Sequence, residues 1–125
     1  QALTEYHDVT ADVISDLSEK LRRLRLMGVS DIIIDPGFGF SKTTEQNFEM
    51  MRNLQLFKLS LGAPVLVGVS RKSMITKSLG ITPMEALPGT IALDTIALTR
   101  GASILRVHDV SEAVAAVRMY ELSTL

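Results

Sequence analysis

The hydrophobic positions of the first segment recur at helical spacing. Across residues 4–27, apolar side chains stand three or four positions apart, and most charged side chains fall on the opposite face. Gly28 follows where a left-handed residue commonly ends a helix. The pattern therefore predicts an amphipathic helix over 4–27.

Short apolar runs predict three strands. Residues 32–34 are three consecutive isoleucines without polar alternation, which is typical of a strand covered on both faces. Residues 65–69 and 103–107 are predicted as the second and third strands. These strands begin 33 and 38 residues apart (from 32 to 65 and from 65 to 103), a spacing typical of right-handed βαβ units in a parallel sheet.

The remaining apolar stripes predict further helices. A helix over 44–61 is stopped by Gly62 and Pro64, and residues 82–85 form a capping box that begins a short helix. Helices are also predicted over 90–100 and over 111–122, and the last of these is expected to bury Val114 and Val117. The order α-β-α-β-α-α-β-α places the chain in the α/β class. Both a small doubly wound sheet and a piece of a (β/α)₈ barrel fit this order.

Composition narrows the functional classes. The 125 residues are enough for one domain, and the net charge of −1 gives no long-range attraction for nucleic acid or an anionic membrane. The absence of cysteine excludes disulfides and Cys-ligated zinc or iron–sulfur sites. No apolar run approaches the length of a membrane span, and the first residues lack a signal-peptide pattern. We therefore expect a cytoplasmic protein with no nucleic-acid or membrane partner.

Chemically active residues follow each predicted strand, where parallel α/β folds bind ligands. Residues 35–42 begin with Asp35, expected to be a partly desolvated carboxylate that can accept hydrogen bonds from an amidine-like ring edge. Gly39 would let a flat ligand approach the backbone. It is equally plausible that Asp35 simply begins a turn.

The second and third strand ends are rich in cations and hydroxyls. Residues 68–73 contain Lys72, which can bind an anion or ring heteroatoms, and Ser73, whose hydroxyl can bind a carboxylate. Arg106 and His108 are two residues apart in a strand and therefore share a face, as in a phosphate or pyrophosphate site. The competing interpretations are an ordinary basic loop for 68–73, a core histidine for His108, and a helix cap for Asp109, which we prefer for that residue.

Three segments, 35–42, 68–73 and 104–110, closely resemble signature segments of the dihydropteroate synthases, in the same order and spacing. The resemblance covers almost the whole chain. It implies that the three strands are the sixth to eighth of a TIM barrel, that residues 1–125 form the carboxyl-terminal part of this pterin-binding domain, and that the first five strands are absent.

The resemblance also implies individual roles. Asp35, Gly68, Lys72 and Arg106 would bind the pterin, and Arg106 and His108 the departing pyrophosphate. Gly39, Phe40 and Ser73 would bind para-aminobenzoate.

Further expectations come from the same resemblance. Lys72, Arg106 and Asp35 would be the catalytic residues, with no protein metal ligand in this chain. Mg²⁺ would bind with the pyrophosphate through the absent amino-terminal part. The complete protein is expected to be a homodimer, and this chain alone is expected to be inactive.

Two alternatives to the synthase are considered. A pterin-binding methyltransferase shares the barrel and the pterin site, but segments 68–73 and 106–108 favour a site for pyrophosphate and para-aminobenzoate. A non-catalytic flavodoxin-like module would instead be a cooperatively folded monomer of 125 residues.

Overall fold

The computed structural model describes residues 8–39 and 41–125, and within them the chain is an α/β fold. The elements, in chain order, are α1 (Val9–Leu26), α2 (Thr44–Arg52), α3 (Gln55–Leu61), β1 (Val65–Val67), α4 (Ser73–Leu79), a 3₁₀ turn (Pro83–Glu85), α5 (Leu87–Thr99), β2 (Ala102–Leu105) and α6 (Val110–Ser123). Within these ranges, no helix combines the length and apolarity needed to cross a membrane.

The two strands pair in parallel. Val67 lies opposite Leu105, and the register shifts once, between Val65 and Leu66. The strand predicted over 32–34 is present only as an isolated parallel bridge between Ile34 and Val65. The Ile34 N–H donates to the Pro64 carbonyl at 2.8 Å, and the Leu66 N–H donates to the Ile34 carbonyl at 2.7 Å. These two bonds attach the segment to β1, but they are too few to make a regular strand.

The helices follow the predicted stripes with three differences. The single helix predicted over 44–61 is divided at Asn53, whose side chain donates to the Glu49 carbonyl at 3.0 Å and competes with the backbone ladder. Helix α4 was not predicted at all. The predicted capping box is present between Thr82 and Glu85, although it begins a 3₁₀ turn. The predicted start of the first helix, at residue 4, lies outside the described residues.

The core lies between the helices and the outer face of the strands. Side chains from α2, from α3 with the residue before it, and from β1 are fully buried there: Met50, Leu54, Phe57, Val65 and Val67. The predicted burial of Val114 is wrong, because 61% of its surface is exposed, and Val117 is only partly buried. Both residues line a groove of about 440 Å³ beside β2, whereas Ala113 is the buried residue of α6.

Gly89 permits a close crossing of α4 and α5. A Cβ atom added there would lie 2.7 Å from Ile75 Cγ2 and 3.1 Å from Leu79 Cδ1. Ile75 is buried, and its Cγ2 is attached directly to its Cβ, so this methyl group cannot move aside freely. The side-chain volume at Gly89 therefore sets how closely these helices pack.

Asp94 is a carboxylate enclosed in the helical layer. It is completely buried on α5, and neither of its carboxylate oxygens has a hydrogen-bond partner among the described residues. Burial raises its pKa to about 6. Ionised Asp94 is therefore a source of instability.

We expect Gly89→Ala to destabilise the intact protein by about 1–3 kcal/mol, because overpacking outweighs the higher helix propensity of alanine. Urea denaturation of Gly89→Ala and of Ala92→Gly, a substitution at an exposed position of the same helix, measures the effect. A Gly89→Ala protein as stable as the wild type would contradict the close crossing.

We expect Asp94→Leu to stabilise the intact protein by about 1–3 kcal/mol at pH 8, because no charge is then buried without a partner. The folded-state pKa lies above the ordinary value of 3.8, so wild-type stability should fall as pH rises from about 4 to about 6. The advantage of Asp94→Leu should therefore shrink towards pH 4. Denaturation at several pH values tests this, with the exposed Asp31→Leu as the control. A stability difference independent of pH would contradict the prediction.

Candidate functional site

The parallel pairing brings three chain segments together at the carboxyl ends of the strands. Beyond β2, the Arg106 N–H donates to the Val67 carbonyl at 2.9 Å and extends the ladder by one bond. Gly68 is buried next to this bond. A Cβ atom added at Gly68 would lie 3.6 Å from Arg106 Cβ and 3.9 Å from Lys72 Nζ. The structure thus brings together Gly68, Lys72 and Arg106, as predicted.

Two adjoining cavities open at these strand ends, and Lys72 and Arg106 line both of them. The first, of about 370 Å³, is lined by Gly68, Ser70, Lys72, Arg106, Val107 and His108. The second, of about 420 Å³, is lined by Phe38, Gly39, Lys72, Ser73 and Arg106. The first cavity is polar and cationic, whereas the second combines an aromatic ring, a glycine and a hydroxyl.

Asp35 forms a turn directly after Ile34, and its charge acts on Lys72 although it lines neither cavity. Its Oδ1 accepts a hydrogen bond from the Gly37 N–H at 2.9 Å, and its side chain is exposed. The expected partial desolvation of this carboxylate is therefore not found, and the turn interpretation is confirmed. Lys42 completes the turn, because its Nζ donates to the Gly37 carbonyl at 2.6 Å. The second carboxylate oxygen of Asp35 stays available to a ligand.

Lys72 is the residue around which the two cavities meet. It is half-buried, and its Nζ donates to the Phe38 carbonyl. Burial lowers the pKa of the Lys72 ammonium; Asp35 opposes this shift, and the positive charges of Arg106 and Lys42 add to it. An anionic ligand would relieve the repulsion among these cations.

Asn47 fixes the backbone of the second cavity. Its Oδ1 accepts from the Gly39 N–H and its Nδ2 donates to the Gly39 carbonyl, both at 3.1 Å. Asn47 is buried on the face of α2 that carries Met50 and Met51. A polar residue on an apolar stripe was therefore the signal that sequence reasoning missed. Phe40, predicted beside Gly39, lies outside the described residues.

His108 and Asp109 both contact the segment that follows β1. Nδ1 of His108 lies 2.8 Å from Oγ of Ser70, and Asp109 Oδ1 accepts from Arg71 Nη2 at 2.9 Å. His108 is exposed at the first cavity, so the core interpretation of this histidine is wrong. Asp109 is the N-cap residue of α6, as expected, but its side chain makes no capping hydrogen bond.

The arrangement suits an anion and a flat ring bound side by side. Arg106, Lys72 and His108 can donate to phosphoryl oxygens in the first cavity, and Gly68, which has no side chain, contributes only backbone to the wall of this cavity. Residues 8–39 and 41–125 contain no group of three acidic, histidine or cysteine side chains placed to hold a metal ion. Lys72 and Arg106 can stabilise the negative charge of an anion in the first cavity.

This chain is similar to known dihydropteroate synthases in sequence and in structure. A dihydropteroate synthase from Clostridium beijerinckii is 43% identical over 122 residues, which are 95% of this chain and 45% of that protein. The Yersinia pestis dihydropteroate synthase with a pterine–sulfa conjugate superposes with a TM-score of 0.89 at 34% identity, over 94% of this chain and 47% of that chain. A Xanthomonas albilineans dihydropteroate synthase with 4-aminobenzoic acid gives a TM-score of 0.89 at 37% identity, over 94% of this chain and 46% of that chain.

The likeness extends along this chain but not along the relatives. The chain spans about half the length of the curated relatives and solved structures that it matches. Neither the methyltransferase nor the flavodoxin-like module is favoured by these comparisons. The family model for pterin binding enzymes matches residues 1–108, so the chain belongs to the pterin binding enzyme family.

Proposed function

We propose that this chain supplies part of the active site of a dihydropteroate synthase. Such an enzyme condenses 6-hydroxymethyl-7,8-dihydropterin pyrophosphate with para-aminobenzoate and releases pyrophosphate. The observation behind the proposal is the pair of adjoining cavities that share Lys72 and Arg106. One substrate would occupy each cavity, with the reacting atoms where the cavities meet.

The first cavity fits the pterin pyrophosphate. Arg106 and His108 line it and would bind the pyrophosphate, while Gly68 would lie beneath the pterin ring. Lys72 would exchange its hydrogen bond to the Phe38 carbonyl for one to the pterin. Asp35, whose Oδ1 accepts from Gly37, would accept the pterin amino and ring N–H groups through its other oxygen.

The second cavity fits para-aminobenzoate. Ser73 begins α4 and would donate its hydroxyl to the carboxylate, while Phe38 and Gly39 line the space for the ring. The bonds from Asn47 hold Gly39 in place for this contact. We propose Phe40 as a further contact to the ring on the basis of its position in the sequence.

The reaction follows from these placements. The arylamine nitrogen forms a bond to the exocyclic methylene of the pterin, the bond from that methylene to the pyrophosphate oxygen breaks, and the nitrogen gives its extra proton to water. Arg106 and His108 stabilise charge on the departing pyrophosphate, and Asp35 stabilises the electron-poor pterin. We propose that the reaction needs no dedicated general base, because an arylamine nucleophile with so electron-poor a pterin needs little help.

Magnesium would bind with the pyrophosphate rather than to this chain. Neither cavity is lined by a carboxylate, and Asp35, whose charge acts on Lys72, shares that neighbourhood with the cations Arg106 and Lys42. This donor set does not fit a protein-held magnesium ion, which requires several oxygen ligands.

We also propose that residues 1–125 form the carboxyl-terminal part of a (β/α)₈ barrel, with Ile34, β1 and β2 on its sixth, seventh and eighth strands. A whole barrel requires about 250 residues and eight strands. Ile33 and Ile104, on the inner side of the strands, are exposed, as is Val110 in the groove beside β2. The other strands and helices of the barrel would cover these apolar surfaces.

A homodimer would explain the composition of α5. This helix is apolar on most sides, and Ile91, Leu93 and Ile96 are only partly buried by the rest of the chain. Helices that are apolar all round are usually covered on all sides. We propose that a second copy of the chain covers part of this helix.

We also propose that the complete protein is cytoplasmic.

We expect substitutions in the intact protein to separate the two cavities. Ser73→Ala should raise the KM for para-aminobenzoate about tenfold, because a hydrogen bond to a charged group is lost. His108→Gln should weaken the binding of inorganic pyrophosphate by a similar factor. Lys72→Met should weaken the binding of both pyrophosphate and para-aminobenzoate. Steady-state kinetics and calorimetry with pyrophosphate measure these effects.

Lys77→Met, on the exposed side of α4, is the matched control. It should change the affinity for either ligand by no more than about twofold. If the intact wild type lacks synthase activity, the proposed function is wrong. If Ser73→Ala and His108→Gln each weaken the binding of both ligands equally, the assignment of one substrate to each cavity is wrong.

We expect residues 1–125 expressed alone to bind the dye ANS and to give no measurable turnover, because their apolar edges stay open. The intact protein should bind little dye and be active. ANS fluorescence and a synthase assay on both preparations make the comparison. A cooperatively unfolding monomer of residues 1–125 that makes dihydropteroate would contradict the barrel proposal.

A further inference from the structure

Two contacts continue the strand register beyond the end of the sheet. Val67 lies opposite Leu105, an offset of 38 residues (105 − 67 = 38). The contacts Ser70–His108 and Arg71–Asp109 join residues at the same offset of 38. The loop after β1 and the loop after β2 are therefore held side by side by side chains where the backbone ladder has stopped.

Arg71 adopts a backbone conformation that its side chain does not favour. Its φ of +57° makes it the one non-glycine residue with positive φ in residues 8–39 and 41–125. The Arg71 N–H donates to the Thr90 hydroxyl at 3.2 Å, and the guanidinium pairs with Asp109. Such a conformation persists only where surrounding contacts enforce it, and it is concentrated at functional sites.

The left-handed turn separates the two cations of the loop. Arg71 is directed to Asp109, whereas the next residue, Lys72, is directed to the Phe38 carbonyl between the cavities. Because Asp109 neutralises Arg71, this guanidinium is not a free anion ligand. Oδ2 of Asp109 is buried without a hydrogen-bond partner in the described residues, so Arg71 is the main partner of this carboxylate.

The Ser70 contact acts on the imidazole itself. Ser70 is buried, and its Oγ holds Nδ1 of His108, which leaves Nε2 of the ring for the first cavity. A histidine nitrogen that is held by a fixed partner sets the tautomer and the orientation of the other nitrogen. Ser70 thus controls which atom His108 offers to an anion.

We propose that Ser70, Arg71 and Asp109 are positioning residues: they lock the two loops together so that Lys72 and His108 face one anionic substrate group in a fixed geometry. The proposal rests on the proposed synthase function, in which that group is the pyrophosphate of the pterin substrate. None of the three residues needs to contact the reacting atoms.

The test uses the intact protein with Arg71→Met, Asp109→Asn, the double variant and Ser70→Ala. Arg22→Met, which breaks the exposed Arg22–Glu19 pair on α1, is the matched control. Arg71→Gly tolerates the positive φ, so it separates loss of the ion pair from backbone strain. The measurements are kcat, the KM for para-aminobenzoate, the dissociation constant of inorganic pyrophosphate, unfolding midpoints, and ¹⁵N spectra of histidine assigned with His108→Gln.

We expect Arg71→Met, Arg71→Gly and Asp109→Asn each to lower kcat about tenfold to a hundredfold, since a displaced catalytic group costs that much. The double variant should be no worse than either single variant, because both break one contact. Arg71→Lys should recover part of kcat. Ser70→Ala should shift the ¹⁵N resonances of His108 and weaken the binding of pyrophosphate. Arg22→Met should match the wild type in all of these measurements.

Additive losses in the double variant would overturn the proposal, as would unchanged His108 resonances in Ser70→Ala. The proposal would also be overturned if kcat fell only in those variants whose unfolding midpoint falls, and in proportion to that fall, because the loss would then reflect instability alone. If the wild type makes no dihydropteroate while the pyrophosphate and ¹⁵N results are as expected, the proposed function fails and the positioning role stands. If the wild type is active and all variants match Arg22→Met, the positioning role alone fails.

Discussion

The parallel alignment of three chain segments is the constraint on which the candidate site depends. Hydrogen bonds from Leu66 to Ile34 and from Arg106 to Val67 fix this alignment at 2.7 and 2.9 Å. Side chains alternate along a strand, so a slip of one residue would turn Arg106 away from the cavities towards the helices. The register beside Gly68 therefore determines whether the cations meet at all, and the helices serve to hold it.

That alignment gathers positive charge, and the local backbone partly compensates for it. Lys42 donates to the Gly37 carbonyl and Lys72 to the Phe38 carbonyl, so both ammonium groups bind one short loop. The pKa of Lys72 is nevertheless lowered, first by burial. When an anionic ligand binds, Lys72 exchanges the Phe38 carbonyl for a charged acceptor, and the ligand also reduces the repulsion among Lys72, Lys42 and Arg106. A site held in this state needs little rearrangement to bind its ligand, which is the advantage of preorganisation.

Sequence reasoning worked where the information is local and failed where partners lie far apart. The spans of α1 and α6 and the capping box at Thr82 follow from periodicity and from residues three positions apart, and they are present, whereas α4 was not predicted. The contact of Ser70 with His108 spans 38 residues, and no periodicity reports which polar side chains meet at that distance. Asp109 illustrates the limit: its position before α6 was predicted, but its partner, Arg71, was not.

The wrong burial prediction for Val114 is informative about the whole molecule. An apolar pattern records which residues were selected to be covered, whereas the structure records what covers them in this stretch of chain. At Val114 and Ile104 the two disagree, because both are apolar and both are exposed. Val114 lines the groove beside β2, and Ile104 lies on β2 itself, on the inner side of the strand. Exposed apolar side chains such as Leu59 and Met84 also occur elsewhere on the surface. The exposed pair at β2 differs from them in lying on or beside the unpaired edge of the sheet, which is where an incomplete barrel would leave apolar side chains uncovered. This is the physical argument that supports the barrel proposal independently of the resemblance.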